Sequence, residues 1–272
     1  MRHLDFGRLF GAAAVLTAAT FVAAPMASAT PNPATASLHL RIFNDDPVST
    51  LTPVNSYPAS ISITDQKFPG AGGFANRHAW RFSNDGTNYL EFQNADHFRF
   101  CADLTISGTG EAEAGLQIGP WWSPLVDGTF NVRTTDGEIA CFGGRMPFYS
   151  FTGSHALTYT KGTTIHLEVI YDPNSLSMAD PATIEYKVTY NANNYSSGPI
   201  AFDQGNPSED PPHGQWGMLQ PSTVGGHVQY FIGGSGPEGG INATWSNICY
   251  ENLDAVPVEP TTWSNIKSLL QQ

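Results

Sequence analysis

Between residues 163 and 190, apolar and polar side chains alternate with a period of two. Ile165, Leu167, Val169 and Tyr171 alternate with Thr164, His166, Glu168 and Ile170, and Ile184, Tyr186, Val188 and Tyr190 alternate with Glu185, Lys187 and Thr189. That period marks a strand with one face in a core. Asp172-Pro173-Asn174 and Asp180-Pro181, between the two runs, break both helix and sheet. The segment therefore predicts a hairpin whose polar side carries His166, Glu168, Glu185 and Lys187.

Similar segments recur along the chain. Residues 38–43 predict an opening strand, and 44–58 read as loop. Phe98, Phe100, Ala102, Leu104 and Ile106 alternate with Arg99, Cys101, Asp103 and Thr105. In 112–118, Ala114, Leu116 and Ile118 oppose Glu113 and Gln117, so Arg99, Asp103, Glu113 and Gln117 are candidates to extend the hairpin's polar face. Residues 129–135, an Asp136-Gly137 turn and 138–142 predict a tight hairpin. Further strands are expected at 147–151, 156–159, 195–202, 215–219, 228–232 and 243–250, with no long helical pattern before the last residues. About a dozen short strands at this spacing predict an all-β antiparallel sandwich.

The first residues change the expected location. Arg2 and Arg8 flank an apolar run over 9–24, and Ala27-Ser28-Ala29 supplies small residues for cleavage. This predicts a secretory signal over 1–29, because the run falls short of the roughly 20 residues a spanning helix needs. Residues 30–37 become a loose leader, 38–253 the sandwich, and no other stretch is long enough to span a bilayer. Cleavage takes away Arg2, Arg8 and Asp5, leaving 10 of the 12 basic and 23 of the 24 acidic residues, a net charge of about −13. Such a surface repels nucleic acid and anionic lipid, and it admits polyanionic glycans only where the site is locally basic or holds a divalent cation.

Three cysteines, Cys101, Cys141 and Cys249, are expected to form one disulfide in an oxidising compartment. The expected bridge is Cys141–Cys249, because Cys141 adjoins the Gly143-Gly144 turn and Cys249 lies near the end of the last strand. Cys101 would be the unpaired thiol.

Several motifs carry a family resemblance. Glu113-Ala114-Gly115-Leu116-Gln117-Ile118, Lys161-Gly162-Thr163 leading into a strand, Ile184 to Val188, His213-Gly214-Gln215-Trp216-Gly217 and Ala243-Thr244-Trp245-Ser246-Asn247-Ile248 occur in that order. Together they resemble the concanavalin A-like lectin/glucanase superfamily, including laminin G-like jelly rolls, over most of 38–253. The resemblance implies two curved antiparallel sheets with ligands on the concave face or its rim. The Glu-x-Asp-x-x-Glu strand of that superfamily's retaining glucanases is missing, and Gln229-Tyr230-Phe231 is only slightly similar to the signatures of jelly-roll alginate lyases.

Sugar binding needs aromatic planes and hydrogen-bonding side chains. Trp121-Trp122, set between Gly119-Pro120 and Ser123-Pro124, meet the first need, and His166, Glu168 and Lys187 the second. Trp80, Trp216 and Trp245 read as core packing, with a rim position open to Trp216 beside His213. Glu113, Glu168 and Glu185 are the candidates for acid/base work, since glycoside cleavage takes a proton donor and a second carboxylate. Asp203, Asn206, Glu209 and Asp210 crowd a Gly/Pro loop and could hold calcium. No other cofactor is expected. Asn194-Tyr195-Ser196 and Asn242-Ala243-Thr244 fit the N-glycosylation pattern. Residues 254–272 join a Pro-containing linker to a short helix with Trp263, Ile266, Leu269 and Leu270 on one face.

These features lead to the expectation of a secreted, non-catalytic sandwich that binds carbohydrate or another extracellular polymer. A polysaccharide-degrading enzyme of the same fold is the alternative, and a structural cell-surface protein the third.

Overall fold

The computed structural model describes residues 31–67, 72–123, 126–143, 145–203, 216–233 and 239–254. The expected signal segment and the C-terminal tail lie outside them. In chain order the strands are β1 (Thr35–Phe43), β2 (Thr50–Ser56), β3 (Ser60–Lys67), β4 (Phe74–Ser83), β5 (Phe98–Gly108), β6 (Glu111–Ser123), β7 (Val126–Arg133), β8 (Ile139–Phe142) and β9 (Tyr149–Ser150). After the short helix α1 (Phe151–His155) come β10 (Thr164–Asp172), β11 (Thr183–Tyr190), β12 (Asn193–Ser196), β13 (Ile200–Ala201), β14 (Thr223–Ile232) and β15 (Gly239–Asn252).

The strands form two antiparallel sheets, one of order β1-β4-β14-β6-β7-β8-β9 and one of order β12-β11-β10-β5-β15-β3-β2, with β13 paired to β11. This is the all-β antiparallel sandwich expected from the strand pattern. The apolar sides of the sheets meet in one core. Trp80, Leu116, Phe130 and Val228 come from the first sheet, and Phe100, Leu104, Leu167, Tyr186 and Trp245 from the second. Trp80 and Trp245 pack edge to face at 6.1 Å, and the Trp245 indole donates to the Gly115 carbonyl across the core at 3.0 Å. Trp216 is only half-buried. No helix of the described residues is long and apolar enough to cross a membrane.

The expected 163–190 hairpin forms as β10 and β11, with Glu168 opposite Lys187. Three strands depart from expectation, since β2 occupies the segment read as loop and the expected strands do not include β3 or β4. The predicted strand at 156–159 is irregular, and the one at 195–202 is split between β12 and β13.

The disulfide also differs. It joins Cys101 to Cys249, not Cys141 to Cys249. The reason is register: β5 and β15 are neighbours, Cys101 lies directly opposite Cys249, and their Cα atoms are 5.0 Å apart, within bridging range. Cys141 belongs to the other sheet and faces the core as a buried free thiol, its pKa pushed up by burial.

Candidate functional site

Each sheet turns a polar face away from the core, and the expected site residues are divided between the two. On the eight-stranded sheet, Cys249, Cys101, Glu168, Lys187 and Ser196 stand side by side across β15, β5, β10, β11 and β12. The neighbouring row holds Ser246, Asp103, His166, Thr189 and Asn194. Glu168 is buried, and Arg99 Nε and NH2 donate to its Oε2 at 2.8 and 2.5 Å. Lys187 Nζ is 3.4 Å from Glu168 Oε1 and 3.7 Å from Glu185 Oε2. His166 Nδ1 bonds Asp103 Oδ1 at 2.7 Å, and Asn247 holds the other Asp103 oxygen at 2.8 Å.

Glu113 and Gln117 do not extend that face, because β6 lies in the seven-stranded sheet. Glu113 is therefore across the core from Glu168 and Glu185, and the three carboxylates cannot share one groove. Each is also engaged: Glu113 accepts from Asn131 Nδ2 at 2.9 Å, and Glu185 accepts from Ser196 Oγ at 2.6 Å. Trp121 and Trp122 end the backbone of β6, with side chains outside the described residues. Of the calcium candidates only Asp203 is described. Its carboxylate lies 3.9 Å from the buried Arg145 guanidinium, while Asn206, Glu209 and Asp210 are outside. No group of three metal-ligating side chains occurs among the described residues.

The outer face of the seven-stranded sheet is the richer one. One row runs Ser37, Arg81, Gly225, Gln117, Thr129 and Phe142 across β1, β4, β14, β6, β7 and β8. The next runs His39, Ala79, His227, Gly115, Asn131 and Ala140, and a third runs Phe43, Arg77, Gln229, Glu113 and Arg133. Five strand spacings of about 4.8 Å make this face about 24 Å wide. Gly225 and Gly115 leave gaps between Arg81 and Gln117 and between His227 and Asn131. Both are held as glycine by neighbouring backbone, since a Cβ would come 2.0 Å from the Trp80 carbonyl oxygen or 1.8 Å from that of Phe130.

Polar groups between these gaps are closely packed and incompletely satisfied. Arg77, Arg81, Gln117, Asn131 and His227 are all buried. Arg81 donates to Thr223 Oγ1, Arg77 NH1 reaches Gln229 Oε1 at 3.5 Å, and His227 Nε2 lies 3.3 Å from Asn131 Oδ1. Burial, and then the Arg77 charge, hold His227 well below the usual imidazole pKa, so the ring is neutral. His39 is shifted the same way by burial and Arg81. Both polar atoms of the Gln117 amide are buried without a hydrogen-bond partner. Leaving such a group unpaired costs on the order of 1–3 kcal/mol, and a buried orphan of this kind marks a place where water or ligand supplies the missing bonds.

Aromatic rings stand at both edges of this face. Phe142 is 38% exposed at the β8 side, and Phe43 and Tyr89 are 52% and 46% exposed near β1. The Arg81 guanidinium lies over the Tyr89 ring at 5.7 Å. Sequence reasoning found Gln117 but placed it on the wrong sheet. It missed Arg77, Arg81, Asn131 and His227, whose only signal was the recurrence of Arg at positions 77 and 81 of a segment with no clear period.

No family model matches the chain, and no curated protein matches it. Among solved structures it is similar to the family 7 alginate lyase A1-II′, a tyrosine-to-phenylalanine variant in complex with product. The TM-score is 0.48 at 10% identity, over 80% of this chain and 94% of that one. The seed lectin of Lotus tetragonolobus gives 0.37 at 10% identity over 81% and 100%, and a protein of unknown function from Shewanella oneidensis MR-1 gives 0.38 at 8% over 84% and 93%. These are likenesses of fold.

Proposed function

We propose that this protein is an extracellular carbohydrate-binding β-sandwich that holds an acidic polysaccharide across the outer face of its seven-stranded sheet. The observation that carries the reading is the orphaned Gln117 amide, set between Arg81 and Thr129 in a row that ends on exposed Phe142. A sugar hydroxyl can both donate to and accept from an amide. Phe142 and Tyr89 offer planes for sugar C–H faces, and Arg77 and Arg81 provide charge for a carboxylate. Within a chain of net charge −12, these two arginines form the locally basic ground that a uronate polymer requires.

Binding is favoured over hydrolysis because each candidate carboxylate is engaged within the protein, Glu113 by Asn131, Glu168 by Arg99 and Glu185 by Ser196. A lyase is the second reading, favoured by neutral His227 as a base beside arginines that would neutralise a sugar carboxylate.

The test is to incubate the secreted chain with acidic and neutral polysaccharides, recording retention and newly formed unsaturated or reducing ends. Retention on acidic polymers, without products and weakened about tenfold or more by Arg81→Ala, is expected. Unsaturated ends that disappear in His227→Asn would establish the lyase. Retention unaffected by Arg81→Ala, or no retention at all, would remove this face from the account.

A further inference from the structure

The opposite side of the sandwich carries a separate cavity. A cleft of about 370 Å³ opens on the outer face of the eight-stranded sheet, where β10, β11 and β12 meet, lined by Glu168, Lys187, Asn194 and Tyr195 among others. Its wall contains an acceptor and donors whose contacts within the protein are long or incomplete. Both hydrogen bonds from Arg99 go to Glu168 Oε2, so Oε1 faces the ammonium of Lys187. The Lys187 contacts of 3.4 and 3.7 Å are longer than the roughly 2.7–3.2 Å of N–H···O bonds. Its N–H donors therefore remain available. Asn194 uses Oδ1 to accept from Thr189 Oγ1 at 2.7 Å, which leaves its amide NH2. Tyr195 pairs with core-facing Val188, so its ring packs on the inner side against the core and His155, with ring centroids 5.2 Å apart.

We propose that this cleft binds a neutral pyranose unit through two adjacent hydroxyls. One hydroxyl donates to Glu168 Oε1, its neighbour accepts from Lys187 Nζ, and the Asn194 amide donates to a third oxygen. Charge selects the neutral sugar. Arg99 balances Glu168, and Lys187 stands between Glu168 and Glu185, so no uncompensated cation remains to draw a carboxylate. A volume near the low end of small-ligand sites, roughly 300–1,000 Å³, suits one or two sugar rings. The core separates this cleft from the acidic-polymer face, so one chain would hold two kinds of saccharide on opposite sides and bridge them. Such linkage raises avidity with no new contact.

The test is a titration of the isotope-labelled full chain with methyl glycosides of neutral hexoses and pentoses, following backbone amide shifts. At least one glycoside is expected to shift the amides from 187 to 196 at millimolar concentration. Lys187→Met and Asn194→Ala should each weaken this about tenfold, and Arg81→Ala should leave it unchanged. Spectral dispersion checks that each variant is folded. The proposal is overturned if no neutral glycoside shifts these amides, if the shifts survive both cleft variants, or if a methyl uronide binds more tightly there than its neutral counterpart. None of these outcomes bears on acidic-polymer retention, which is read separately through Arg81.

Discussion

Gln117 shows how one side chain can be unfavourable for stability and informative about function. Its strand neighbours Ala114, Leu116 and Ile118 fill the core, while its amide lies buried on the other side without a partner. Replacing it with leucine keeps most of the volume and removes the orphaned dipole. Gln117→Leu is therefore expected to raise unfolding free energy by about 1–2 kcal/mol in a urea titration while weakening retention on acidic polysaccharide. Stability and binding falling together would mean that the amide is satisfied in the free protein. His227 sets a second prediction. Its pKa lies well below 6.5 in the fold, so below about pH 6.5 the unfolded chain binds a proton that the folded chain does not. Its contribution is complete above that pH and declines as the pH falls. As the pH falls from about 7.5 to about 5 the wild-type chain should lose stability to this group. In His227→Asn the slope should flatten, with a remainder from His39. An equal slope in wild type and variant would place the titration elsewhere.

Strands announced themselves in the sequence only where one face is apolar and the other wet. β5, β10 and β11 do so, and alternation alone gives which of their residues share a face, while the register that sets Glu168 opposite Lys187 comes from the structure. β4 does not. Every residue from Asn76 to Ser83 is buried, so Arg77 and Arg81 on one side and Asn76, His78, Trp80 and Phe82 on the other leave no period to read. The polar residues on its inner side are satisfied by long-range partners: Asn76 Nδ2 donates to Asp65 Oδ2 at 2.6 Å and His78 Nε2 bonds the same oxygen at 3.0 Å. β3 differs, alternating through Ile61 and Ile63 until Asp65 and Lys67 take over its buried side, and β2 carries Pro53 and Asn55. Because β4 carries both arginines, the site was lost with the strand. The disulfide could not be assigned from spacing, since it depends on β5 and β15 being neighbours 148 residues apart in sequence. Mass spectrometry of an unreduced digest should link the Cys101 and Cys249 peptides and find Cys141 free. Cys101→Ser with Cys249→Ser should cost about 3–5 kcal/mol. A Cys141 cross-link would contradict the register. On the same face, Arg99→Ala leaves Glu168 buried with only Lys187 nearby, and a loss of about 2 kcal/mol is expected in denaturant unfolding.

For the whole molecule, the two sheets act as two surfaces sharing one core. The overall acidity repels polyanions at long range, yet the seven-stranded sheet gathers Arg77 and Arg81 beside neutral His227, Asn131 and Gln117. Binding of an acidic polymer there should weaken as salt rises, because the attraction rests on few charges and is screened within about 10 Å at 0.1 M ionic strength. The most direct measurement is a map of amide shifts in the labelled chain on adding a soluble uronate oligosaccharide. The account predicts changes concentrated on β4, β6, β7 and β14 around Arg81, Gln117, Asn131 and His227, spreading to Phe142. Changes confined to the eight-stranded sheet, or none at saturating oligosaccharide, would contradict it.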